Sequence, residues 1–278
     1  LSNGKLAKNM IKKYKEDGFL FPINIFNYKE ALNLRTELEK IEQKYSKIKL
    51  PKPLNDYMRG PANAVIPLVA DIAKDNRILD IVECILGSNI LVWAAEFFIK
   101  EKKTDNIVGM HQDLTYWGMG ETSGQVTAWL ALSDSNKNSG CMEFVKGSHK
   151  NKILPHNETY SKKSLLSRGQ EVQVQIPNNK KISAELLPGQ MSIHHGLMIH
   201  GSGPNISNDR RIGVAIRYIN PDVVQNTKKS YAMPVRGIDK KGNFTHYFAP
   251  KTLFSEFNLK LHEEICENQH KVTSTTKN

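Results

Sequence analysis

The spacing of apolar side chains divides the chain into a helical first third and a strand-rich remainder. Apolar residues recur at helical intervals over residues 5–17, 28–47 and 76–86. Gly18 and Gly87 stand just past the first and third of these segments, where a glycine commonly ends a helix. We expect Asn76 to cap the third helix, because a short polar side chain there can accept a hydrogen bond from the first turn.

The connections between these helices carry different signals. The run after Gly18, "FLFPINIF", is typical of a short extended segment. Residues 48–63 contain three prolines and two asparagines, which predicts a loop.

From residue 90 onward the pattern changes to short segments rich in β-branched and aromatic residues, separated by turn signals. These segments are "ILVWAAEFFIK", "QVTAWLAL", "GCMEFVKGS", "ISAELLPGQMSIHHG" and "IGVAIRYI". Such a series favours an antiparallel sandwich or barrel. A last helix is predicted near 255–270, and the tail "KVTSTTKN" is expected to be loose.

No internal repeat and no linker interrupts the sequence, so one domain over residues 1–278 is predicted. Its helical part would cover about 1–88, its β core about 89–250, and its C-terminal helix about 255–270.

The net charge of +11 raises the question of an anionic partner. Most lysines lie on helical stretches such as "KLAKNMIKKYKED", where they form a solvated face rather than a dense basic arm. We therefore predict no nucleic-acid partner. No apolar run approaches the roughly 20 residues that span a bilayer, so no membrane partner is predicted either.

The cysteines indicate the compartment. Cys84, Cys141 and Cys266 are far apart, and neither their odd number nor their spacing fits a disulfide framework or a metal site. This usage favours a reducing environment, and we predict a cytoplasmic protein.

Candidate metal ligands stand in the stretch "GMHQDLTYWGMG". His111 and Asp113 have the same parity, so on a strand their side chains would leave one face roughly 6.6 Å apart. A third ligand must come from elsewhere, and "MSIHHGLMIHGSGPN" offers His194, His195 and His200. Two histidines and one carboxylate form the facial triad of non-haem iron oxygenases, although these ligand types also suit Zn(II).

Each part of this motif also has a structural interpretation. His-x-Asp often occurs in turns, and a lone histidine on a strand is more often a packing residue than a ligand. His194 and His195 are adjacent, so on a strand they point to opposite faces and at most one of them faces the site.

A second candidate feature is the strand pattern "RIGVAIRYI", whose two faces differ. One face carries Arg211, Gly213, Ala215 and Arg217, and the other carries Ile212, Val214, Ile216 and Tyr218. The second face is the natural core face, which turns both arginines toward something else. A buried guanidinium needs an anion, either a dicarboxylate cosubstrate or an internal acidic residue.

In order, the motifs are His-x-Asp, Gly-Ser-His, Pro-Gly, His-Gly-Ser-Gly and Arg, within "MHQDLTYWGM", "GSHK", "LPGQ", "HGSGPN" and "RRIGVAIRYI". This order resembles the phytanoyl-CoA dioxygenase family of Fe(II)- and 2-oxoglutarate-dependent oxygenases, over about residues 90–220. The opening "YKEDGFLFP" is also similar to the start of that family. The resemblance implies a mostly β fold with flanking α-helices, a cupin-like double-stranded β-helix or jelly roll.

Carried over by position, the resemblance implies that His111, Asp113 and His200 bind the metal. His194 and His195 would then be lining or supporting residues. One departure is visible, because many relatives have tryptophan where this chain has Met110, which affects one wall of the pocket.

The resemblance also implies a site for 2-oxoglutarate. Arg211, eleven positions beyond His200, and Ser202 would hold its distal carboxylate, and Trp129 would lie beside it. The reaction would use O2, release succinate and CO2, and hydroxylate an unactivated C–H bond. Asp113 favours hydroxylation over halogenation, because related halogenases have Gly or Ala at this position.

The substrate is the least determined part of this interpretation. Candidate substrate residues are Gln112, Tyr116, Trp117, His195 and Arg217, and residues 161–173 are a candidate lid. Arg217 could meet a substrate anion or form a structural ion pair. We expect a small polar or anionic metabolite; the alternatives are an acyl-CoA hydroxylase, a non-catalytic metal-binding jelly roll and an oxygenase acting on nucleic acid.

Overall fold

The computed structural model describes residue 1 and residues 3–275, with helices gathered at the two ends of the sequence. The α-helices are α1 (Lys8–Asp17), α2 (Tyr28–Tyr45), α3 (Leu54–Met58), α4 (Pro67–Ala73), α5 (Asn76–Leu86) and α6 (Glu256–Thr275). Short 3-10 helices cover Ala62–Ala64, Asp113–Tyr116, Ser148–Lys150 and Asn178–Lys180.

The strands occupy most of the chain between α5 and α6. They are β1 (Phe19–Asn24), β2 (Ile90–Lys100), β3 (Val108–His111), β4 (Gln125–Ala131), β5 (Met142–Val145), β6 (His156–Glu158), β7 (Gln170–Val172), β8 (Lys181–Ala184), β9 (Gln190–His195), β10 (His200–Ser202), β11 (Arg211–Ile219), β12 (Tyr231–Arg236) and β13 (Thr245–His246).

Helices α1, α2 and α5 lie where the apolar spacing predicted them. Gly18 ends α1 with φ of 88°, a left-handed conformation that glycine adopts without strain. Asn27 and Glu30 form a reciprocal capping box at the start of α2. The predicted cap of α5 was wrong. Asp75 accepts the hydrogen bond from the Arg77 N–H at 2.9 Å, because Asn76 already has helical backbone.

Two further predictions about helices were wrong. The expected loop over residues 48–63 contains α3 and a 3-10 turn, which are too short to show a period and depend on burial of Tyr57 and Met58. The predicted C-terminal helix is longer than expected, since α6 continues to Thr275. The tail "KVTSTTKN" is therefore helical as far as Thr275, and residues 276–278 lie outside the described part of the chain.

Two antiparallel sheets form the β core. The larger has the strand order β1-β9-β4-β11-β2-β12-β13, with only its β12-β13 edge pair parallel, and the smaller has the order β3-β10-β5-β8. Side chains of both sheets meet in one hydrophobic cluster that includes Phe19, Trp129 and Phe144. This arrangement is the predicted jelly roll.

The two faces of β11 have the roles that its alternation predicted. Ile212, Val214, Ile216 and Tyr218 belong to the main hydrophobic cluster, together with Leu38 of α2, Val69 of α4 and Ile78 of α5. The opposite face of β11 therefore points between the sheets, and Arg211 and Arg217 line a pocket there. Packing of helices on one side of the sheet thus positions functional groups on the other.

None of the helices in the described residues is long and apolar enough to cross a membrane.

Candidate active site

The predicted metal ligands come together at the end of the smaller sheet. His111 is the last residue of β3 and His200 the first of β10, and antiparallel pairing sets the two directly opposite each other. The prediction that Asp113 and His111 lie on one strand was wrong. The strand ends at His111, and the 3-10 turn beginning at Asp113 brings the carboxylate to the histidines instead.

The distances in this cluster suit a single cation. His111 Nε2 lies 3.3 Å from Asp113 Oδ1, and His200 Nε2 lies 3.8 Å from the same oxygen. One ligand atom from each of the three residues lies within 4.8 Å of the others, and all three are buried. Two imidazoles and one carboxylate that converge in this way are the donor set of a facial triad, which suits a divalent metal ion.

Backbone carbonyls fix the orientation of both imidazoles. His111 Nδ1 lies 2.8 Å from Gly109 O, and His200 Nδ1 lies 2.9 Å from Met198 O. A carbonyl oxygen only accepts, so both Nδ1 atoms carry the proton and each Nε2 presents its lone pair to the cluster. Neutral imidazoles held by such bonds are the usual metal-ligating form.

Asp113 is held on its second oxygen. Thr127 Oγ1 donates to Asp113 Oδ2 at 3.2 Å, and His194 Nε2 lies 3.6 Å from that oxygen. Burial opposes the charge of Asp113, but the positive charge that His200, His111 and His194 carry when protonated outweighs it and holds the pKa of this carboxyl well below its usual range. Burial lowers the pKa of His200 well below 6.5, which keeps the ring neutral at physiological pH.

The predicted 2-oxoglutarate residues lie in the same pocket. Arg211 is 1% exposed, and its Nη1 donates to Gly140 O at 3.1 Å. Within the described residues, Arg211 Nε and Nη2 have no hydrogen-bond partner. The indole of Trp129 lies 5.2 Å below the guanidinium. Buried donors left in this state fit an incoming carboxylate.

Sequence reasoning missed Lys100, which pairs directly opposite Arg211 across β2 and β11. Its Nζ donates to Ser202 Oγ at 2.7 Å and also contacts Gly203 O. The amine is 1% exposed, and burial, together with nearby Arg211, lowers the pKa of Lys100 to about 6. Among the described residues neither Lys100 nor Arg211 has an ion-pair partner, so this corner suits the carboxylate of a ligand.

The predicted substrate residues divide into two groups. Tyr116, Trp117 and Arg217 line a cleft of about 540 Å³ that opens onto His111 and Asp113. Gln112 does not line this cleft. It is fully buried, and its amide bonds to Leu197 O and to the Leu154 N–H. The geometry therefore gives Gln112 a structural role.

The paired histidines behave as their alternation predicted. His194 points between the sheets and lines the metal pocket, with its ring 4.4 Å from that of His200. His195 points away from the pocket and lies 5.5 Å from the ring of His149. Because only one of two adjacent strand residues faces the site, the structure does not place His195 with the substrate residues.

The sequence analysis missed two charged residues of the cleft, Glu96 and Arg59, although the pattern of β2 could have indicated Glu96. Glu96, Phe98 and Lys100 share one face of the otherwise apolar β2. Two charged residues on a buried strand indicate a functional site. Arg59 lies in the region interpreted as a loop and left no such signal. Its Nη2 donates to Leu165 O at 2.6 Å, which ties the predicted lid segment to the cleft.

Met110, the departure from the family pattern, faces away from the metal. It lines a separate surface cleft with Glu143 and Glu171. The missing tryptophan therefore does not alter a wall of the metal pocket in this chain.

Comparisons with known proteins agree with this geometry. The family model for phytanoyl-CoA dioxygenase matches residues 14–213. The peroxisomal phytanoyl-CoA dioxygenase of Mus musculus is 27% identical over 242 residues, which cover 80% of this chain and 71% of the relative. An ectoine dioxygenase of Stutzerimonas stutzeri is 24% identical over 242 residues, covering 80% of each chain.

Solved structures show the same fold. A non-haem monooxygenase, ThoJ, superposes with a TM-score of 0.84 at 28% identity, covering 96% of this chain and 98% of that one. CytC3, solved with Fe(II) and alpha-ketoglutarate, has a TM-score of 0.65 at 20% identity, covering 87% of this chain and 93% of its own. The chain belongs to the phytanoyl-CoA dioxygenase family and is a non-haem iron, 2-oxoglutarate-dependent oxygenase, as its motif order predicted.

Proposed function

We propose that this protein hydroxylates an unactivated C–H bond of a small polar or anionic metabolite, with Fe(II), 2-oxoglutarate and O2 as reactants and succinate and CO2 as products. One observation carries the proposal: a triad of two histidines and a carboxylate shares its pocket with a buried arginine that has unused donors. The first feature fits the metal, and the second fits the far end of a dicarboxylate.

In this proposal His111, Asp113 and His200 hold the iron. Their Nδ1 and Oδ2 atoms are already bonded to the protein, so Nε2 and Oδ1 are the atoms available to the ion. When bound, iron and 2-oxoglutarate together activate O2 for C–H hydroxylation. Asp113 also gives the centre a fixed negative charge, which favours hydroxylation over exchange of the ligand for a halide.

Arg211 and Ser202 orient the cosubstrate. Arg211 offers Nε and Nη2, which lie on one edge of the guanidinium and match the two oxygens of a carboxylate. Lys100 donates to Ser202 Oγ and leaves the hydroxyl proton of Ser202 free for the same carboxylate. Trp129 closes this end against water, since it is 3% exposed and packs beside Arg211.

The alternative substrates differ in what they require from the cleft. An acyl-CoA hydroxylase is favoured by the names of the mammalian relatives. A free metabolite is favoured by the name of the ectoine dioxygenases and by the charged groups that line the cleft. The non-catalytic jelly roll has no use for the buried donors of Arg211. Absence of a nucleic-acid partner and cytoplasmic localisation stay predictions.

A spectroscopic test separates an oxygenase from a non-catalytic jelly roll. Anaerobic addition of Fe(II) and 2-oxoglutarate should give the weak visible charge-transfer absorption of a chelated α-keto acid. His200→Ala should abolish this absorption, and Arg211→Ala should require much more 2-oxoglutarate to reach it. Arg210→Ala is the matched control, because Arg210 points to the surface and pairs with Glu42 and Glu101.

Succinate release should then be followed across amino acids, phosphonates, other small acids and acyl-CoAs. An active protein should form succinate fastest with a free acid. The proposal fails if the wild type shows no absorption, or if His200→Ala and Arg211→Ala both keep it undiminished.

A further inference from the structure

The cleft beside the metal pocket holds two arginines around a single buried carboxylate. Arg217 Nη1 is in contact with Glu96 Oε1, and Arg59 Nε lies 3.6 Å from Glu96 Oε2. Glu96 is 9% exposed and Arg217 is 7% exposed, so water contributes little to neutralising them. The inner part of the cleft therefore has one more positive charge than negative charge.

Both guanidiniums retain unused donors. Within the described residues, Arg217 Nε has no hydrogen-bond partner, and Arg59 Nε has only the ion-pair contact with Glu96 Oε2, which at 3.6 Å is too long for a hydrogen bond. Apart from the Glu96 carboxylate that they share, aromatic faces support them, with Arg59 4.1 Å from the Phe98 ring and Arg217 5.4 Å from the Trp117 ring. A buried cation supported in this way is poorly compensated, which favours an additional anion between the two arginines.

The other ionisable groups of the cleft do not provide this anion. Asp56 lines it but is exposed at its rim. Cys266 is half-buried, and burial raises the pKa of its thiol to about 11, so it is uncharged at neutral pH. His270 lines the outer part and carries no negative charge. Asp113 belongs to the metal triad.

Strand pairing connects these arginines to the reaction centre. Arg217 of β11 lies directly opposite Thr127 of β4, and Thr127 holds Asp113 by a hydrogen bond. Residues paired in this way have Cβ atoms about 5 Å apart. Arg217 lines both the cleft and the metal pocket. A group bound by Arg217 therefore lies beside the metal pocket, with the rest of its molecule against the cleft walls.

We propose that the substrate is an organic monocarboxylate whose carboxylate binds between Arg59 and Arg217, in partial replacement of Glu96. This inference rests on the proposed function and goes beyond it by naming the ionised group and its receptor. Trp93, Trp117 and Phe98 line the cleft and would contact an apolar body. A thioester lacks this carboxylate, so the proposal excludes substrates whose acid group is masked by CoA.

Glu96 provides the decisive variant. If the arginines are a receptor, Glu96→Gln removes the internal competitor and tightens carboxylate binding about tenfold, whereas Arg217→Gln and Arg59→Gln each weaken it about tenfold. If the three residues are only a structural ion-pair network, all three substitutions weaken binding or leave it unchanged. Arg236→Gln is the matched control, since Arg236 pairs with Asp80 and Glu83 away from the cleft.

The experiment uses the full chain with Ni(II) and saturating 2-oxoglutarate, so that no turnover occurs. Probes are acetate, phenylacetate and 3-phenylpropionate, each with its neutral amide, and binding is followed by quenching of tryptophan fluorescence. We expect the aromatic acids to bind and their amides not to bind. Thermal melting checks that each variant is folded. If Arg217→Gln does not fold, Arg59→Gln still tests the inference, because Arg59 is only half-buried.

Three results would overturn the inference: equal binding of acids and amides, no binding of any acid while 2-oxoglutarate occupies its own site, or weaker binding to Glu96→Gln. The charge-transfer absorption with Fe(II) is measured in the same preparations. If it is present while the acids are not distinguished, only this inference fails. If the wild type lacks it, the proposed function fails.

Discussion

At the scale of single residues, the most informative feature is a buried pair of basic side chains, Lys100 and Arg211, with no ion-pair partner among the described residues. Lys100 and Arg211 are each 1% exposed and directly paired across two strands. Burial and the neighbouring Arg211 oppose the charge of the Lys100 amine and lower its pKa, unless an anion joins the two groups. The chain retains this cost in a pocket that a dicarboxylate can neutralise, which is typical of a functional site rather than of packing.

Replacing Arg211 with lysine tests the importance of its planar fork. Arg211→Lys keeps the charge but loses the two parallel donors, so we expect the KM for 2-oxoglutarate to rise at least about tenfold with a smaller change in kcat. Steady-state succinate release at varied 2-oxoglutarate measures this. Arg210→Lys is the control and should leave the KM unchanged. Equal effects of both substitutions would contradict the assignment.

Replacing Lys100 with methionine tests the buried amine through pH dependence. The pKa of Lys100 is about 6 in the folded chain and about 10.4 when unfolded. Between these values the unfolded chain binds the additional proton, so wild-type stability should rise with pH. Lys100→Met removes this contribution, so we expect the variant to be more stable than the wild type at pH 7, by an amount that shrinks toward pH 10.

Urea unfolding at pH 6, 7.5 and 9 follows that difference in the protein without cosubstrate. Lys102→Met, on the surface beyond the end of β2, serves as control and should leave the pH slope unchanged. A slope that is the same in Lys100→Met and wild type would show that Lys100 is charged throughout this range.

At the scale of elements, β2 and β11 each combine a packing face with a functional face. Alternation along β11 could be read from the sequence, and it correctly separated Arg211 and Arg217 from the core residues. Glu96 and Lys100 of β2 could be read from the sequence in the same way, but they belong to no motif that would have predicted a role for them. Arg59 comes from the end of a five-residue helix that periodicity cannot detect.

The close approach of Trp129 to β11 depends on Gly213. A Cβ atom at Gly213 would lie 1.9 Å from Trp129 Cζ2, so Gly213→Ala must displace the indole. We expect a loss of stability of about 1–3 kcal/mol and a raised KM for 2-oxoglutarate, measured by urea unfolding and succinate release. Gly203→Ala is the control, because a Cβ there meets nothing within 4 Å. Unchanged kinetics in Gly213→Ala would show that Trp129 has no role in cosubstrate binding.

At the scale of the whole molecule, α2, α4 and α5 support the larger sheet from the side opposite the site, whereas α6 also reaches the cleft through Cys266 and His270. The main hydrophobic cluster joins residues of α2, α4 and α5, of β11 and of α6, such as Leu38, Val69, Ile78, Val214 and Ile265. Tyr218 Oη donates to Ala73 O at 2.9 Å and adds a polar contact at that interface. A rigid support of this kind keeps the opposite face, and thus the pocket, in a fixed geometry.

Asn63 is a buried connection between three distant segments. Its Oδ1 accepts from the Ala95 N–H at 2.9 Å, and its Nδ2 donates to Tyr247 Oη at 2.7 Å. We expect Asn63→Ala to lose about 2–4 kcal/mol, because both partners would remain buried without a bond. Thermal and urea unfolding measure this, with the half-buried Asn243→Ala as control. A loss below about 1 kcal/mol would show that water replaces the amide.

By itself, the sequence determined the fold class and which face of its strand carries Arg211, because alternation can be read from the chain without knowledge of its fold. The order of its motifs, through their family resemblance, predicted His111, Asp113 and His200 as metal ligands, and the structure brings these three side chains together. Tertiary structure alone decided how Asp113 reaches the histidines, that His194 rather than His195 faces the pocket, that Glu96 and Arg59 line the adjoining cleft, and that Lys100 lies opposite Arg211. Those facts depend on where strands end and which residues pair across sheets, and such pairings join positions far apart in sequence.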